Sequence, residues 1–492
     1  MNQLTIAPRP TFPLSPRLYM QFMEPLGDTD PSVEAGWDFL HGRWKDHFVD
    51  AARELSPALI RWPGGILASY YRWREGVGPR RARRPMLNLC WGGIESNQVG
   101  THEFIDFCRL VGAEPLIAVN FEGDGKKRWA RPAPGLVRSA GPAEAAAWVD
   151  YCNNPRNAGR RRNGAKRSFD VRLWQIGNET SYGKVGFDGE TAARKTLAFA
   201  RAMRKADSGL ELIGWGDSGW AGRMLEVTQG ALQYVAFHHH FQSGLPHSPL
   251  TGSEWRKDPE RTWRHLMHAY KSTDKRITAM RGEVAGSGVK LALTESHFAL
   301  PGRNRNDVLA TWAAGVANAR ILNVHERHGD VLEIATLADF CGTNWLVTAL
   351  LITRGGTWLM PVARVMQLYR RHVGTKALAQ PVAPPDLDVT ASRRGSRVFL
   401  HAVNVSRTQP VRVKLSVEGA KVVSGRVFQI ADEPFRELDC LTPGQFAPTE
   451  HALPCNAHWT FPPASVSAVE LVIQKMRKDE EKMRKDEGRS PN

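Results

Sequence analysis

Eight short apolar segments, separated by stretches with the spacing of amphipathic helices, constrain the fold of this chain more than any other feature. Continuous apolar strands are typical of a parallel sheet that is buried on both faces. Eight such strands that alternate with helices predict an α/β fold, a closed (β/α)8 barrel or TIM barrel. The segments are residues 17–22, 58–63, 115–120, 171–177, 210–216, 234–239, 290–295 and 331–339.

An open, doubly wound sheet is the alternative arrangement of alternating strands and helices. The Gly-x-Gly-x-x-Gly sequence typical of many such sheets follows none of the eight segments. The connecting segment from Thr101 to Val111 has a helical pattern with acidic residues near its beginning, and Gly112 stands directly after it. We therefore predict a barrel over residues 16–375.

The pattern changes after Gly374, where helical spacing gives way to short runs of β-branched residues separated by Pro, Asn and Gly. This pattern predicts an all-β module, a β-sandwich over residues 376–474. The last residues, 475–492, contain the sequence KMRKDE twice. Because this segment is highly charged and has few apolar residues, we predict a disordered or frayed helical tail. The β-branched runs are residues 398–405, 411–417, 422–430 and 466–473.

The chain is basic, with 66 Lys and Arg against 50 Asp and Glu and a formal net charge of +16. Such a charge can indicate a nucleic-acid or acidic partner. The basic residues cluster around 80–84 and 160–167, in stretches rich in Gly, Pro or Asn, where solvated loop charge is the simpler interpretation. No zinc-finger, basic-zipper or RNA-recognition signature accompanies them, so we predict no nucleic-acid partner.

Several features bear on where the protein works. The first residues lack the basic and apolar regions of a secretory signal, and no apolar run approaches the roughly 18–20 residues of a membrane span. The six cysteines show no CxxC or other close pairing. We predict a cytoplasmic protein with reduced thiols, no membrane association, no disulfide framework and no zinc site. The sequence leaves a homo-oligomer open.

Polar residues stand at or near the carboxyl ends of the predicted strands, where the active sites of (β/α)8 barrels lie. Each of them alone could cap a helix or pair with a basic neighbour. An unpaired buried carboxylate is costly, so several at equivalent strand ends favour one convergent site. These residues are Glu24, Arg61, Asn120, Asn178, Glu179, Asp217, His238, His239, His240, Glu295 and Asp339.

Two of these carboxylates form the predicted catalytic pair. Glu179 follows the fourth predicted strand and Glu295 ends the seventh. Cleavage of a glycosidic bond needs one carboxylic acid to protonate the leaving oxygen and one carboxylate to attack the anomeric carbon. The sequence therefore predicts a retaining glycoside hydrolase with Glu179 as general acid/base and Glu295 as nucleophile.

Several segments carry a family resemblance. Residues 22–27 read FMEPLG, residues 61–65 read RWPGG, residues 113–120 read AEPLIAVN and residues 173–179 read LWQIGNE. Over roughly residues 10–350 the chain resembles glycoside hydrolase family 51, the α-L-arabinofuranosidases. The resemblance implies an exo-acting α-L-arabinofuranosidase that acts on glycosides derived from plant polysaccharides and needs no cofactor. It also implies that residues 1–15 supply a strand to the sandwich.

The resemblance implies roles for individual residues at the site. Glu24 would bind sugar hydroxyls, Arg61 would lie beside the nucleophile, and Asn178 would hold the 2-hydroxyl. Trp91 would form an apolar wall, although a core aromatic residue is its simpler interpretation. His238 and His240 would line the site. They share one face of their strand, but two ligands are too few for a metal centre, and we predict none.

The chain also departs from the family pattern. Ile66 stands where Asn or Cys is usual, His240 where Tyr is usual, Ser296 and His297 replace Trp-Asn, and Gly342 replaces a Gln. We expect an altered sugar pocket, with a gap at Gly342. Three alternatives stay open: a retaining hydrolase of another furanoside, β-glucan or xylan, a non-catalytic carbohydrate-binding barrel, and a nucleic-acid-binding protein.

Overall fold

A computed structural model describes residues 2–121, 138–182, 187–302 and 305–475. Apart from Lys475, the charged tail predicted for residues 475–492 lies outside the described residues. Within the described residues, no helix combines the length and the apolar composition that a membrane crossing requires.

Eight barrel strands follow one another in parallel and in chain order. The predicted eighth strand, 331–339, is wrong as a single element, because the structure has two pieces there. The first piece pairs with strand seven, and the second pairs with strand one through Asp339 and Phe22, which closes the barrel. The strands are Met20–Phe22, Leu59–Trp62, Glu114–Val119, Leu173–Ile176, Glu211–Trp215, Tyr234–Phe241, Lys290–Phe298, and Leu332–Ala335 with Asp339–Gly342.

Helices surround the barrel. Helix Thr101–Val111 begins after Gly100, whose N–H donates to the side chain of Glu103, and it ends at Gly112, whose φ of 74° continues no right-handed helix. The α-helices after successive strands are Asp46–Leu55, Thr101–Val111, Pro142–Asn153, Gly189–Ala206, Ala221–Thr228, Pro259–His268 with Tyr270–Glu283, Trp312–Arg327 and Pro361–Arg371, and two short ones, Ser32–Ala35 and Ala158–Arg162, lie in connecting segments.

Arg17 closes the amino end of the barrel. Its guanidinium donates to both carboxylate oxygens of Glu114 at 2.9 and 2.8 Å, and to Glu211 and the Tyr234 hydroxyl at 2.8 and 2.9 Å. These three partners are the first residues of barrel strands three, five and six. Above them, the barrel interior is filled by apolar side chains, including Leu116.

The carboxyl-terminal region forms a ten-stranded sheet that folds around a second core. Strand Asn2–Ile6 pairs in parallel with Val411–Val417, and strand Pro10–Pro13 pairs with Lys376–Leu378 at the other edge. The predicted fold class, a (β/α)8 barrel with a C-terminal β-sandwich, is confirmed. The remaining strands are Leu387–Arg394, Arg397–Asn404, Ala420–Ala431, Thr449–Ala452, His458–Phe461 and Ser465–Lys475.

Candidate active site

Glu179 follows barrel strand four on a sharp turn. Its backbone lies in the left-handed region, with φ of 49°, and Gly177 two residues earlier has φ of 76°. A non-glycine residue in this region costs about 1–3 kcal/mol, and such residues gather at functional sites. The turn closes with a 2.9 Å hydrogen bond from the N–H of Tyr182 to the carbonyl of Glu179. This geometry holds a carboxylate that is 6% exposed at the end of the strand.

Glu295 lies on barrel strand seven and contacts a buried arginine. Arg61, on strand two, donates to Glu295 Oε1 at 3.0 Å and to Asn178 Oδ1 at 2.5 Å. One guanidinium therefore joins Glu295 to the residue that directly precedes Glu179. A charged donor with two good acceptors offsets much of the cost of burying these groups.

His238 lies between the two glutamates. Its Nδ1 is 3.0 Å from Glu179 Oε1 and 3.5 Å from Glu295 Oε2, and its Nε2 is 3.0 Å from the hydroxyl of Thr294. Burial lowers the pKa of His238 to about 3, so the ring is neutral at physiological pH. A neutral ring can contact both carboxyl groups without a fixed positive charge of its own.

One carboxylate oxygen of Glu179, one ring nitrogen of His238 and one carboxylate oxygen of Glu295 all lie within 4.8 Å of one another. Carboxyl groups about 5 Å apart are typical of retaining glycosidases, whereas inverting ones leave roughly 6.5–9.5 Å for a water molecule. The same three groups have donor types that could hold a cation. In the sequence, only His238 and His240 suggested a metal site.

Glu24 and Trp91 form one side of the site. Trp91 Nε1 and the N–H of Leu67 each donate to Glu24 Oε1 at 3.2 Å. Burial, with the negative charge of Glu295 nearby, raises the pKa of Glu24 to about 8. Gly65 permits this close approach, because a Cβ there would lie 2.7 Å from Glu295 Oε1 and 2.8 Å from Glu24 Oε2. Glu24 is therefore a neutral carboxylic acid at pH 7.

His240, His297 and Asp339 lie near Glu295, on barrel strands six, seven and eight. His240 Nε2 lies 3.9 Å from Glu295 Oε2, beyond a hydrogen bond, and its ring packs on that of His297 with centroids 4.4 Å apart. His297 Nε2 lies 3.8 Å from Asp339 Oδ1. Burial, together with the charges of Glu295 and Glu24, raises the pKa of Asp339 well above its usual range. The sequence predicted no specific role for His297 at the site.

Asn120 and Asp217 have other partners. The amide of Asn120 donates to the carbonyls of Tyr71 and Arg138 and so fastens two loops. Asp217 accepts a 2.7 Å hydrogen bond from the hydroxyl of Tyr182. The structure therefore brings Glu24, Arg61, Trp91, Asn178, Glu179, His238, His240, Glu295 and Asp339 around one site, with Asp217 at its margin and Asn120 in its supporting loops.

Among the described residues, no gap lies beside Gly342, although the sequence predicted one. A Cβ there would lie 3.0 Å from Asp30 Oδ2. Asp30 accepts hydrogen bonds from the N–H groups of Thr343, Asn344 and Trp345 and holds this loop against the loop after strand one. The expectation was wrong because a side chain distant in sequence occupies that space. Trp345 instead meets Trp91 edge to face at 5.3 Å.

Two family models for α-L-arabinofuranosidase domains match successive parts of the chain. Residues 51–258 match a family model for the α-L-arabinofuranosidase 1 domain. Residues 297–465 match a model for the α-L-arabinofuranosidase C-terminal domain. The second model begins within barrel strand seven and continues into the sandwich, and the two models together span more than half of the chain.

Curated relatives match part of the chain. It is similar to α-L-arabinofuranosidase C of Emericella nidulans, with 34% identity over 219 residues that cover 42% of this chain and 40% of the relative. It is also similar to the intracellular exo-α-(1→5)-L-arabinofuranosidase of Acetivibrio thermocellus, with 29% identity over 259 residues, 46% of this chain and 45% of the relative. The matched part is thus less than half the length of these relatives.

Solved structures match nearly the whole chain. The α-L-arabinofuranosidase of Thermotoga maritima, in complex with arabinose, has a TM-score of 0.78 and 22% identity over 96% of this chain and 99% of that one. A family 51 α-L-arabinofuranosidase of Bifidobacterium longum has a TM-score of 0.79 and 22% identity over 96% and 100%. These likenesses establish the shared fold. With both domain models matched in chain order, the chain belongs to the α-L-arabinofuranosidase family.

Proposed function

We propose that this protein is a retaining, exo-acting α-L-arabinofuranosidase, with Glu179 as general acid/base and Glu295 as nucleophile. The observation that carries the proposal is the pair of buried carboxyl groups, one oxygen of each lying within 4.8 Å of the other, with His238 beside both. Family membership supports the reaction class. The spacing supports double displacement through a covalent glycosyl-enzyme.

In the first step, protonated Glu179 donates its proton to the glycosidic oxygen as the bond from that oxygen to the anomeric carbon breaks. The carboxylate of Glu295 attacks the same carbon and forms a glycosyl ester. In the second step, Glu179 removes a proton from water, which attacks the anomeric carbon and releases Glu295. Arg61 holds Glu295 Oε1, so the other carboxylate oxygen, Oε2, is the one that attacks.

The raised pKa values of two further carboxyl groups support this division of roles. Glu24, with a pKa of about 8, is mostly protonated at neutral pH and can donate a hydrogen bond. Burial and neighbouring negative charges also raise the pKa of Asp339. Glu24 would donate to a sugar hydroxyl, Asn178 would hold the 2-hydroxyl, and Trp91 would cover an apolar face of the sugar. His238 and His240 would complete the lining of the pocket.

The proposed substrate is a plant-polysaccharide oligosaccharide or glycoside that ends in arabinofuranose, and no metal or cofactor is proposed for catalysis. The cytoplasm is the proposed location. Five of the cysteines, Cys108, Cys152, Cys341, Cys440 and Cys455, are free thiols, which suits a reducing compartment. The Acetivibrio relative is named an intracellular enzyme.

Two measurements test the proposal. A panel of nitrophenyl glycosides should give the highest kcat/KM with α-L-arabinofuranoside, and early-turnover NMR should show a product with the anomeric configuration of the substrate. Inversion would exclude the covalent mechanism. Preference for a galactofuranoside, xyloside or glucoside would keep the mechanism but change the substrate. Sugar binding without turnover of any glycoside would favour a non-catalytic barrel.

A further inference from the structure

The turn that carries Glu179 is held from the side by the end of barrel strand five. Trp215 Nε1 donates to the Ser181 hydroxyl at 2.8 Å, and the Tyr182 hydroxyl donates to Asp217 Oδ2 at 2.7 Å. The rings of Tyr182 and Trp215 meet edge to face at 5.3 Å. Two neighbouring side chains of the turn therefore bind two positions on the adjacent strand end.

Asp217 is itself firmly anchored. It is 3% exposed, it forms an ion pair with Arg276 of helix Tyr270–Glu283, and its Oδ2 also accepts the N–H of His238 at 3.2 Å. Burial alone would raise the pKa of Asp217, but the Tyr182 hydroxyl and Arg276 outweigh burial and lower it. Asp217 is therefore an ionised acceptor that joins the Glu179 turn to the strand whose histidine contacts both glutamates.

We propose that Tyr182 and Asp217 are positioning residues for the general acid/base. They hold the 179–182 turn so that Glu179 keeps its left-handed backbone and its carboxyl group stays 3.0 Å from His238 Nδ1. This inference rests on the proposed function, in which Glu179 protonates the leaving group. Proton transfer requires the acid within hydrogen-bond reach of the leaving oxygen, so a displacement of about 1 Å is enough to slow it strongly.

The test uses two variants with little change in volume. Tyr182→Phe removes the hydroxyl donor, and Asp217→Asn removes the negative charge and replaces one of the two acceptor oxygens by an NH2 group. Their kcat/KM is measured on aryl α-L-arabinofuranosides whose leaving groups range from dinitrophenol to unsubstituted phenol. Dinitrophenolate leaves without being protonated, whereas phenolate needs a proton from the general acid as it leaves. We expect kcat/KM to fall about 10- to 100-fold for the phenyl glycoside and less than about 3-fold for the dinitrophenyl glycoside.

Tyr234→Phe is the matched control. It also removes a phenol hydroxyl from a carboxylate cluster, but at the amino end of the barrel, where Tyr234 contacts Arg17 and Glu211. It should change kcat/KM by the same small factor for all substrates. An equal loss across the series for Tyr182→Phe and Asp217→Asn would show a general structural role and overturn the proposal.

Crystal structures of both variants give a readout that does not depend on activity. We expect the Glu179 carboxyl group to move by about 1 Å away from His238. An unchanged Glu179 in both variants would overturn the positioning role. If the wild-type protein hydrolyses none of the aryl glycosides, the proposed function fails, and the crystal structures still decide whether Tyr182 and Asp217 position Glu179.

Discussion

The two ends of the barrel each place an arginine among carboxylates, with opposite electrostatic results. At the amino end, Arg17 binds Glu114 and Glu211 through separate donors. Burial opposes ionisation of Glu211, but the hydrogen bond and charge of Arg17 prevail and lower its pKa. Both of these carboxylates have the Arg17 guanidinium beside them, and Arg17 joins the beginnings of three strands.

At the carboxyl end, carboxyl groups outnumber nearby cations. Arg61 binds Glu295 and Asn178, while Glu24 and Asp339 lie near Glu295 and have raised pKa values. Carboxyl groups with strongly raised pKa values gather at active sites. We therefore expect the paired charge at the amino end to stabilise the fold, and the carboxyl groups at the other end to provide the proposed acid and nucleophile.

The largest expected effect is at the carboxyl end. Glu295→Ala should lower kcat by about 10⁴-fold or more on every substrate, because no glycosyl ester can form without the nucleophile. Steady-state kinetics on a nitrophenyl arabinofuranoside measure this loss. Glu211→Ala is the control at the amino end and should keep activity within about threefold. Near-normal turnover by Glu295→Ala would refute the assignment of the nucleophile.

The next effect separates the two glutamates. Glu179→Ala should lose about 10²- to 10⁴-fold on glycosides with poor leaving groups, because the general acid is gone, and much less on activated aryl glycosides. Added azide should occupy the vacated space and release a glycosyl azide, detected by mass spectrometry. Loss of activity that is equal for all leaving groups, with no azide product, would contradict the acid/base role.

Stability is expected to respond at the amino end. Arg17→Met leaves Glu114 and Glu211 without their shared donor and should lower the free energy of unfolding by about 1–3 kcal/mol in urea titrations. Activity at 25 °C should stay within about twofold. Arg43→Met, which breaks only an exposed ion pair with Asp46, is the control and should cost less than about 1 kcal/mol. If Arg17→Met lowered kcat without lowering the free energy of unfolding, Arg17 would serve activity rather than stability.

Local signals predicted much of the fold. The helix predicted from Thr101 to Val111 has those bounds in the structure, because its amphipathic pattern ends at a glycine that adopts φ of 74°. The eighth strand was predicted wrongly as one element. Its two pieces pair with strands on opposite sides, and no local pattern encodes a change of partner.

In the site, too, local features could be predicted from the sequence and long-range contacts could not. Glu179 and Glu295 could be selected from the sequence because each stands at the end of an apolar strand. The contacts of His238 with both, the anchoring of Tyr182 by Asp217, and the filling of the space beside Gly342 by Asp30 join residues distant in sequence. Only the closed barrel brings these pairs together.

The last expected effects are opposite pH dependences of stability at the two ends. The pKa of Glu24 in the folded protein, about 8, lies above its unfolded value of about 4.5. The folded state therefore retains a proton that the unfolded state has lost. This contribution to stability is complete below pH 4.5 and is lost as the pH rises to about 8. Glu211 has a lowered pKa, so its contribution is present above its unfolded pKa and is lost as the pH falls.

Glutamine removes each titration without a large change in shape. Relative to wild type, Glu24→Gln should become progressively more stable between pH 5 and 8, by at most about 1.4 kcal/mol per pH unit. Glu211→Gln should be less stable than wild type at pH 7, and the difference should shrink as the pH falls below 4.5. Urea unfolding across this pH range measures both. The sign of each slope follows from the direction of each pKa shift alone. If both differences from wild type changed with pH in the same direction, the pKa shifts of Glu24 and Glu211 would not have opposite signs, and the contrast between the two ends would fail.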